Sequence, residues 1–169
     1  MEVQIRPAAG VDVAGICNVE IASCGNTLGE EIIRTIVRSR ESLRYVAIHS
    51  KVVVGFAFAE RDTDRRYVVL NVVVHPKWRR FGIGSGLAES LQQGIKSLQQ
   101  VHATRLVVYA RETSLPSHLF LKHNGFRAVT FVRDWFMFNA VGEVDGNMED
   151  AIKFVWWYGD EGKMTGDKM

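Results

Sequence analysis

The chain has 169 residues, of which 47% are hydrophobic, and it carries 21 basic and 19 acidic residues. This length and apolar content predict one globular domain with a sizeable core, over residues 1–158. The net charge of +2 argues against nucleic acid as a partner, and the lack of a long apolar run argues against a membrane protein. The tail, 159–169, is charged and glycine-rich and is predicted to be disordered.

The two cysteines do not suggest a disulfide-stabilised protein. Cys17 and Cys24 lie seven positions apart on one predicted helix, which suits two core thiols. No signal peptide is recognisable, so a cytoplasmic location is expected.

The N-terminal part of the sequence alternates a strand with two helices. A short strand is predicted over 3–6, where Pro7 ends it. Asp12 is expected to cap the first helix, and the second is expected to start near Thr27, with Glu30 completing a capping box. The apolar positions of the two helices are Val13, Ile16, Val19 and Ile21, then Ile32, Ile33, Ile36 and Val37.

Three strands then form a predicted meander. Strands over 43–50 and 52–60 are joined by a tight turn at Ser50 and Lys51, and a loop over 61–65 leads to a strand at Arg66–Val74. The next segment is a helix with buried positions three or four residues apart. These positions are Ile83, Leu87, Leu91, Ile95 and Leu98.

The C-terminal part is predicted to contain a strand over 105–110, a helix over 114–124, a strand from Phe126 and a last strand over 152–158, after a polar loop at 141–147. Aromatic residues gather in the last two strands and their connection. Core packing is the default interpretation for half of them, while the other half could line an acceptor groove or a dimer face. They are Phe131, Trp135, Phe136, Phe138, Phe154, Trp156, Trp157 and Tyr158.

The most informative segment joins the Arg66–Val74 strand to the helix that follows. A buried strand, a basic loop and a helix N-terminus after Gly82 and Gly84 make a pre-formed anion site, because backbone N–H groups and the helix dipole point to one place. A Walker A loop does not fit, since Ser85 and Gly86 follow the last glycine instead of Lys and Ser or Thr. A dinucleotide fingerprint does not fit either, since Leu87 occupies the place of its third glycine.

The pattern Arg79-x-x-Gly82-x-Gly84 resembles the acetyl-CoA loop of the GCN5-related N-acetyltransferases, the GNAT superfamily. A strand at 106–110, the segment 111–114 and a helix closed by Gly125 and Phe126 resemble its second signature. The resemblance implies an α/β fold with a central mixed, mostly antiparallel sheet of six to seven strands and about four helices. Within the superfamily, the segment 70–76 and the segment 111–113 are most similar to the ribosomal-protein alanine N-acetyltransferase type, which modifies protein α-amines.

The same resemblance implies acetyl-CoA as co-substrate and no metal. The backbone of 72–74, on a strand splayed from its neighbour, would pair with the pantetheine arm, and one N–H would polarise the thioester carbonyl. Amides of 80–85 would hold the pyrophosphate, aided by Arg79 or Arg80 unless these form only a solvated turn. Ser114 stands where the family usually has asparagine. The expected cofactor-binding residues are Val72, Val73, Val74, Arg79, Arg80, Phe81, Gly82, Ile83, Gly84, Ser85 and Ser114.

The catalytic positions depart from the family pattern. Leu121 occupies the place of the tyrosine that acts as general acid, and Tyr109 occupies the place of the glutamate base. Tyr109 is the candidate catalytic residue, although a tyrosine with a pKa of about 10 is a poor base near neutral pH. Other candidates near the site in sequence are Tyr67, His75, Glu112 and His118.

The predicted function is transfer of acetyl from acetyl-CoA to a primary amine, by direct attack on the thioester. A protein or peptide α-amine is the preferred acceptor, because a site without a strong base favours the less basic amine. The protein is expected to be a monomer or a homodimer. A small-molecule amine acetyltransferase, with Glu60, Asp62 and Asp64 as candidate carboxylates, and a non-catalytic acyl-CoA-binding module stay open as alternatives.

Overall fold

The computed structural model describes residues 2–23, 28–63, 65–98, 104–136 and 149–159. These ranges contain seven strands and four α-helices, as the sequence predicts. In chain order they are β1 (Gln4–Pro7), α1 (Val13–Ser23), α2 (Glu30–Arg38), β2 (Ser42–His49), β3 (Val52–Thr63), β4 (Arg66–Val74), α3 (Ile83–Ser97), β5 (Arg105–Arg111), α4 (Leu115–His123), β6 (Arg127–Val132) and β7 (Ala151–Trp157).

The seven strands form one sheet in the order β1-β2-β3-β4-β5-β7-β6. β4 and β5 are parallel, whereas β1 with β2, β2 with β3, β5 with β7 and β6 with β7 are antiparallel. The expected mixed, mostly antiparallel sheet is therefore confirmed. Predictions for Cys24, Thr27, Asp64, Phe138, the polar loop 141–147 and the tail after Gly159 lie outside the described residues.

The chain divides into two compact units. The first comprises Met1–Arg61 and Val69–Leu91, and the second comprises Asp62–Val68 and Gln92–Met169. In the described residues, no helix is both long enough and apolar enough to cross a bilayer.

The core of the first unit joins α1 and α2 to the strands. Most of the predicted apolar positions are buried there. Two were wrongly predicted as core positions, because Ile32 is 44% exposed and Ile21 is 69% exposed. Its neighbour Glu20 is buried instead, because its carboxylate accepts a hydrogen bond from the Leu28 N–H at 3.0 Å. The core cluster comprises Ala8, Val13, Ile16, Val19, Ile33, Ile36, Val37, Val46, Phe56, Phe58 and Val73.

Both predicted helix starts need correction. Asp12 does not cap α1 but ends a 3-10 turn before it, and its carboxylate accepts hydrogen bonds from the Ala9 N–H and the Arg6 guanidinium, each at 2.8 Å. α2 begins at Glu30, after the expected start near Thr27, because Gly29 has a φ of 84° that is incompatible with a right-handed helix.

The meander follows the prediction with one difference. Ser50 and Lys51 have φ values of 47° and 67°, as a two-residue turn between twisted antiparallel strands requires. β3 extends to Thr63, so the loop predicted over 61–65 is shorter in the structure. Asp62 forms an ion pair with Arg66 beside this turn.

Within the second unit, β5 lies between β4 and β7. Its ladder with β4 covers Arg66–Val68 only, whereas its ladder with β7 covers the whole of β5. α4 ends in the predicted manner: Gly125 has a φ of 81°, its N–H donates to the Lys122 carbonyl, and the Phe126 N–H donates to the Leu121 carbonyl. β6 starts at Arg127, one residue later than predicted.

The aromatic residues of the last two strands divide between interior and surface. Phe154 is buried and Trp156, Trp157 and Tyr158 are half-buried, whereas Phe131 and Trp135 are nearly half exposed. Phe131 is exposed because it lies on β6, which the sheet order places at an edge.

Candidate functional site

The connection from β4 to α3 belongs to the first unit and is held by short-range contacts. Pro76–Trp78 forms a 3-10 turn, in which the His75 side chain accepts a hydrogen bond from the Lys77 N–H at 3.2 Å. The Trp78 ring contacts the His49 ring with centroids 4.6 Å apart. These contacts give His75 a structural role.

Two left-handed residues then turn the backbone into α3. Arg80 has a φ of 70° and Gly82 a φ of 78°. The Gly86 N–H donates to the Gly82 carbonyl at 3.0 Å, which starts the helical bonding pattern. The amides of Ile83, Gly84 and Ser85 therefore have no acceptor within the helix, and they lie at the positive end of its dipole. This geometry suits an anionic group of a ligand.

The side chains of the loop differ in what they can offer a ligand. Ile83 is 4% exposed, so only its backbone is available, whereas the Phe81 side chain is 61% exposed. Arg79 donates from Nε to the Val74 carbonyl at 3.1 Å, which directs its guanidinium across the end of β4. Arg80 is exposed beside it. Both arginines of the predicted site lie in the same loop as the unsatisfied amides.

The strand residues of the predicted site alternate in burial. Val73 is 8% exposed and belongs to the core, whereas Val72 and Val74 are half-buried. A close approach to Gly55 fixes this part of β4, because a Cβ there would lie 3.0 Å from the Val73 carbonyl oxygen and 3.2 Å from Leu87 Cδ1. Any larger residue at Gly55 would push α3 or β4 away.

Replacing Arg80 by glycine tests two properties of this residue: the strain of its left-handed backbone and the charge of its side chain. Because a non-glycine residue at a φ of 70° is strained, we expect the variant to melt about 2 °C higher. Because it also loses a cation at the loop, its Kd for acetyl-CoA should rise about tenfold in titration calorimetry. Lys77→Gln, which removes a neighbouring exposed charge, should change neither value appreciably; an unchanged Kd in Arg80→Gly would contradict the predicted role of its guanidinium.

Tyr109, the candidate catalytic residue, lies on β5 in the second unit. Its ring is half-buried and stacks on Trp135, with centroids 3.7 Å apart and planes inclined by 14°. No hydrogen-bond partner of its hydroxyl occurs in the parts of the chain that the structure describes. The stack fixes the position of the ring.

Glu149 holds the turn that carries Trp135. Its carboxylate binds the guanidinium of Arg111 at 2.6 Å and the hydroxyl and N–H of Thr113, and its carbonyl accepts from the Phe136 N–H at 3.1 Å. Arg111 also lies 4.4 Å from the centre of the Phe136 ring. Hydrogen bonds from Thr113 and Arg111 hold the pKa of Glu149 below its usual range. Sequence reasoning missed Glu149, because its partners are 36 and 38 residues away.

Ser114 and Leu121 belong to the start and the end of α4. Ser114 occupies the N-cap position of α4, where its hydroxyl lies 2.7 Å from that of Ser117 and makes no capping bond to the backbone. Its role toward a cofactor stays a prediction. Leu121 is 4% exposed, so the position of the usual tyrosine is filled by a core residue.

The side chains of two further candidates, His118 and Tyr67, are held or buried within the protein. His118 hydrogen-bonds the Arg111 carbonyl at 2.9 Å through Nε2, and its ring contacts Phe154. Tyr67 is 5% exposed. No group of three or more His, Cys, Asp or Glu residues in the described ranges could hold a metal ion.

Comparison with known proteins gives a family and several related folds. Residues 18–126 match the acetyltransferase (GNAT) family. No curated protein sequence matches the chain significantly.

The structure is similar to the ribosomal-protein-S18-alanine N-acetyltransferase from Escherichia coli, with a TM-score of 0.75 and 18% identity over 99% of each chain. It is also similar to NAA60 from Arabidopsis thaliana. The complex of NAA60 with a bisubstrate analogue has a TM-score of 0.77 and 14% identity, over 94% of this chain and 100% of that one. The complex with acetyl-CoA has a TM-score of 0.75 and 15% identity, over 92% of this chain and 98% of that one.

The family match covers well over half of the chain and includes the β4–α3 loop. The protein therefore belongs to the GNAT acetyltransferase family, and it is an N-acetyltransferase.

Proposed function

We propose that the acceptor is the α-amine of a protein or peptide, and that acetyl-CoA binds along β4 and the loop after it. The observation that carries the choice of acceptor is the absence of a strong base at the two usual catalytic positions, which hold the buried Leu121 and the stacked Tyr109. Without such a base, an acceptor that is already partly neutral is favoured. An α-amine, with a pKa of about 8, is partly neutral near neutral pH. A lysine side chain, with a pKa of about 10.4, is neutral there in only about one molecule in a thousand.

In this proposal, backbone amides and charged side chains bind the cofactor. The amides of Ile83, Gly84 and Ser85 would bind the pyrophosphate, with Arg79 and Arg80 adding charge-assisted hydrogen bonds. The backbone of Val72–Val74 would bind the pantetheine arm, and one N–H would polarise the thioester carbonyl. Phe81, Gly82 and Ser114 complete the proposed cofactor site.

The reaction needs one bond to form and one to break. The neutral amine attacks the thioester carbon, a C–N bond forms, and the C–S bond breaks to release CoA as a thiolate. The Tyr109 hydroxyl donates a proton to that thiolate, the new amide nitrogen loses its extra proton to water, and the Tyr109 oxygen regains a proton from water. Tyr109 thus acts as a proton donor, a role that suits a phenol hydroxyl better than the role of base.

The related structures support a protein acceptor. The Escherichia coli enzyme is a ribosomal-protein-S18-alanine N-acetyltransferase by name, and NAA60 has been solved with a bisubstrate analogue. Because the identities are below 25%, they support the acceptor class without naming the acceptor. A cytoplasmic location and a monomeric or homodimeric state belong to the same proposal.

A small cationic amine is the second candidate, and a cavity of about 550 Å³ in the first unit favours it. Glu31 and Glu60 line this cavity together with Asn71, whose Oδ1 is buried without a partner in the described residues. Carboxylates and an amide oxygen suit an ammonium group. The rest of the lining is Leu28, Ile32, Thr35, Ile36 and Leu70.

The test is release of CoA thiol from acetyl-CoA in the presence of three acceptor classes. Peptides with a free α-amine and no lysine are compared with N-acetylated peptides that contain one lysine, and with small diamines. We expect turnover of the first class. Turnover of lysine peptides alone would contradict the proposal, and turnover of diamines alone would establish the second candidate. Acetyl-CoA binding without turnover in any class would favour a non-catalytic module.

A further inference from the structure

Three cations lie on one face of the sheet in the second unit. Arg66 on β4 is the register partner of Arg105 on β5, and Lys153 on β7 is the partner of Tyr109 on β5. Residues that are partners across a ladder share a face, and so do residues four apart on one strand. Arg66, Arg105, Tyr109 and Lys153 therefore share one face. We call the three basic residues the cation cluster.

The opposite face of these strands is already packed. Phe154 follows Lys153 on β7 and so points to the other side, where its ring contacts His118 of α4 with centroids 5.5 Å apart. Trp156 also points to that side and contacts the helix end at Gly125. The cation cluster is thus on the face that α4 does not cover.

Among the described residues, few acidic groups balance the cation cluster. Arg66 pairs with Asp62 at the end of the β3–β4 hairpin. The side chains of Arg105 and Lys153 form no hydrogen bond or ion pair within the described ranges, although both residues are half-buried. The Nε atoms of Arg66 and Arg105 are buried and lack an acceptor among the same residues.

Like charges in this arrangement repel one another, and burial removes part of their hydration. Burial, together with the nearby Arg66 and Arg105, lowers the pKa of Lys153. A bound anion would offset both costs, because guanidinium and ammonium donors form charge-assisted hydrogen bonds with carboxylates.

We propose that the cation cluster binds carboxylates of the acceptor, so that the enzyme selects peptides with acidic residues close behind the reactive α-amine. This inference rests on the proposed function, since it places Tyr109 at the reaction centre. Lys153 is the direct cross-strand neighbour of Tyr109, so an acidic side chain held there belongs to a residue near the transferred acetyl group. Trp135, stacked on Tyr109 and 46% exposed, borders the same place.

The test compares KM for three peptides that share their first residue and differ in the next three, which are acidic, neutral amides or lysines. For the wild-type protein we expect KM to be at least about tenfold lower for the acidic peptide than for the neutral one, as expected for one or two charge-assisted hydrogen bonds. Raising the salt concentration should weaken this preference.

Two substitutions locate the effect. Arg105→Gln and Lys153→Gln should each raise KM for the acidic peptide about tenfold, leaving kcat and the KM for the neutral peptide within about twofold. Arg34→Gln is the matched control, because it removes an exposed arginine of α2 that pairs with Glu30. The melting temperature and acetyl-CoA affinity of every variant show whether it folds.

The outcomes separate this inference from the function on which it rests. Equal KM values for the acidic and neutral peptides would overturn the inference while leaving α-amine transfer intact. So would a preference that survives in both folded variants. If the wild-type protein acetylates no peptide, the proposal of α-amine transfer is wrong. Calorimetric titration with the three peptides then tests anion binding by the cation cluster on its own. Tighter binding of the acidic peptide supports the inference, and equal binding overturns it.

Discussion

Replacing Tyr109 by phenylalanine is expected to lower kcat for a peptide α-amine about hundredfold, the usual loss when a proton donor is removed. Phenylalanine preserves the ring that stacks on Trp135 at 3.7 Å, so the turn and the sheet should be unchanged. The Kd for acetyl-CoA should also be unchanged, because the proposed pyrophosphate contacts lie at 79–85. Steady-state kinetics and titration calorimetry measure the two quantities.

The control for this experiment is Tyr45→Phe, which removes a half-buried hydroxyl from β2. It should keep kcat within about twofold of the wild type. A Tyr109→Phe variant that retains the full rate would show that the departing thiolate needs no proton from this side chain. A variant that loses acetyl-CoA binding instead would indicate that Tyr109 contacts the cofactor.

Replacing Asp12 by alanine is expected to lower the free energy of unfolding by about 2–3 kcal/mol and the melting temperature by about 5–10 °C at pH 7. The Asp12 carboxylate is 5% exposed and accepts three hydrogen bonds, two from Arg6 and one from the Ala9 N–H. Its removal leaves a guanidinium and an amide without their acceptor. We expect a smaller loss of stability than for a fully buried ion pair, because the Arg6 side chain is 33% exposed.

The same ion pair predicts a pH dependence. Burial alone would raise the pKa of Asp12, but the hydrogen bonds from Arg6 and Ala9 outweigh it, and the pKa lies below its usual value. Because the folded pKa is depressed, the stabilisation is present above the unfolded value of about 3.9 and is lost as the pH falls through the folded pKa. The difference between wild type and Asp12→Ala should therefore shrink below pH 4.

Melting curves between pH 7 and pH 2.5 measure this effect, with Glu89→Gln, an exposed position on α3, as the control. The control should follow the wild type throughout. A difference between wild type and Asp12→Ala that stays constant down to pH 2.5 would rule out the ionised carboxylate as its source.

Local sequence patterns determined most elements of this fold. Apolar residues at helical spacing predicted Ile83, Leu87, Leu91 and Ile95 of α3 as buried, which the structure confirms. Leu98, also predicted as buried, is half-buried and follows the end of the helix. Turn residues predicted the hairpin at Ser50 and Lys51 and the helix end at Gly125, because these conformations depend on a few neighbouring residues. The Arg79-x-x-Gly82-x-Gly84 pattern likewise indicated the family from contiguous residues, whereas binding of acetyl-CoA by this loop stays a prediction.

Other features depended on contacts between distant segments and could not be read from the sequence. Glu20 is buried and Ile21 is exposed because the tertiary partners of α1, not the hydrophobicity of its residues, decide which side faces the core. The stack of Tyr109 on Trp135 and the hydrogen bonds of Glu149 to Thr113 join residues 26 and 36 positions apart. The cation cluster, likewise, exists only because strand register brings three separate strands together. The sequence by itself thus determined the family and the turn residues, which are local patterns. The tertiary structure alone decided which side chains surround Tyr109, since that depends on strand pairing across the chain.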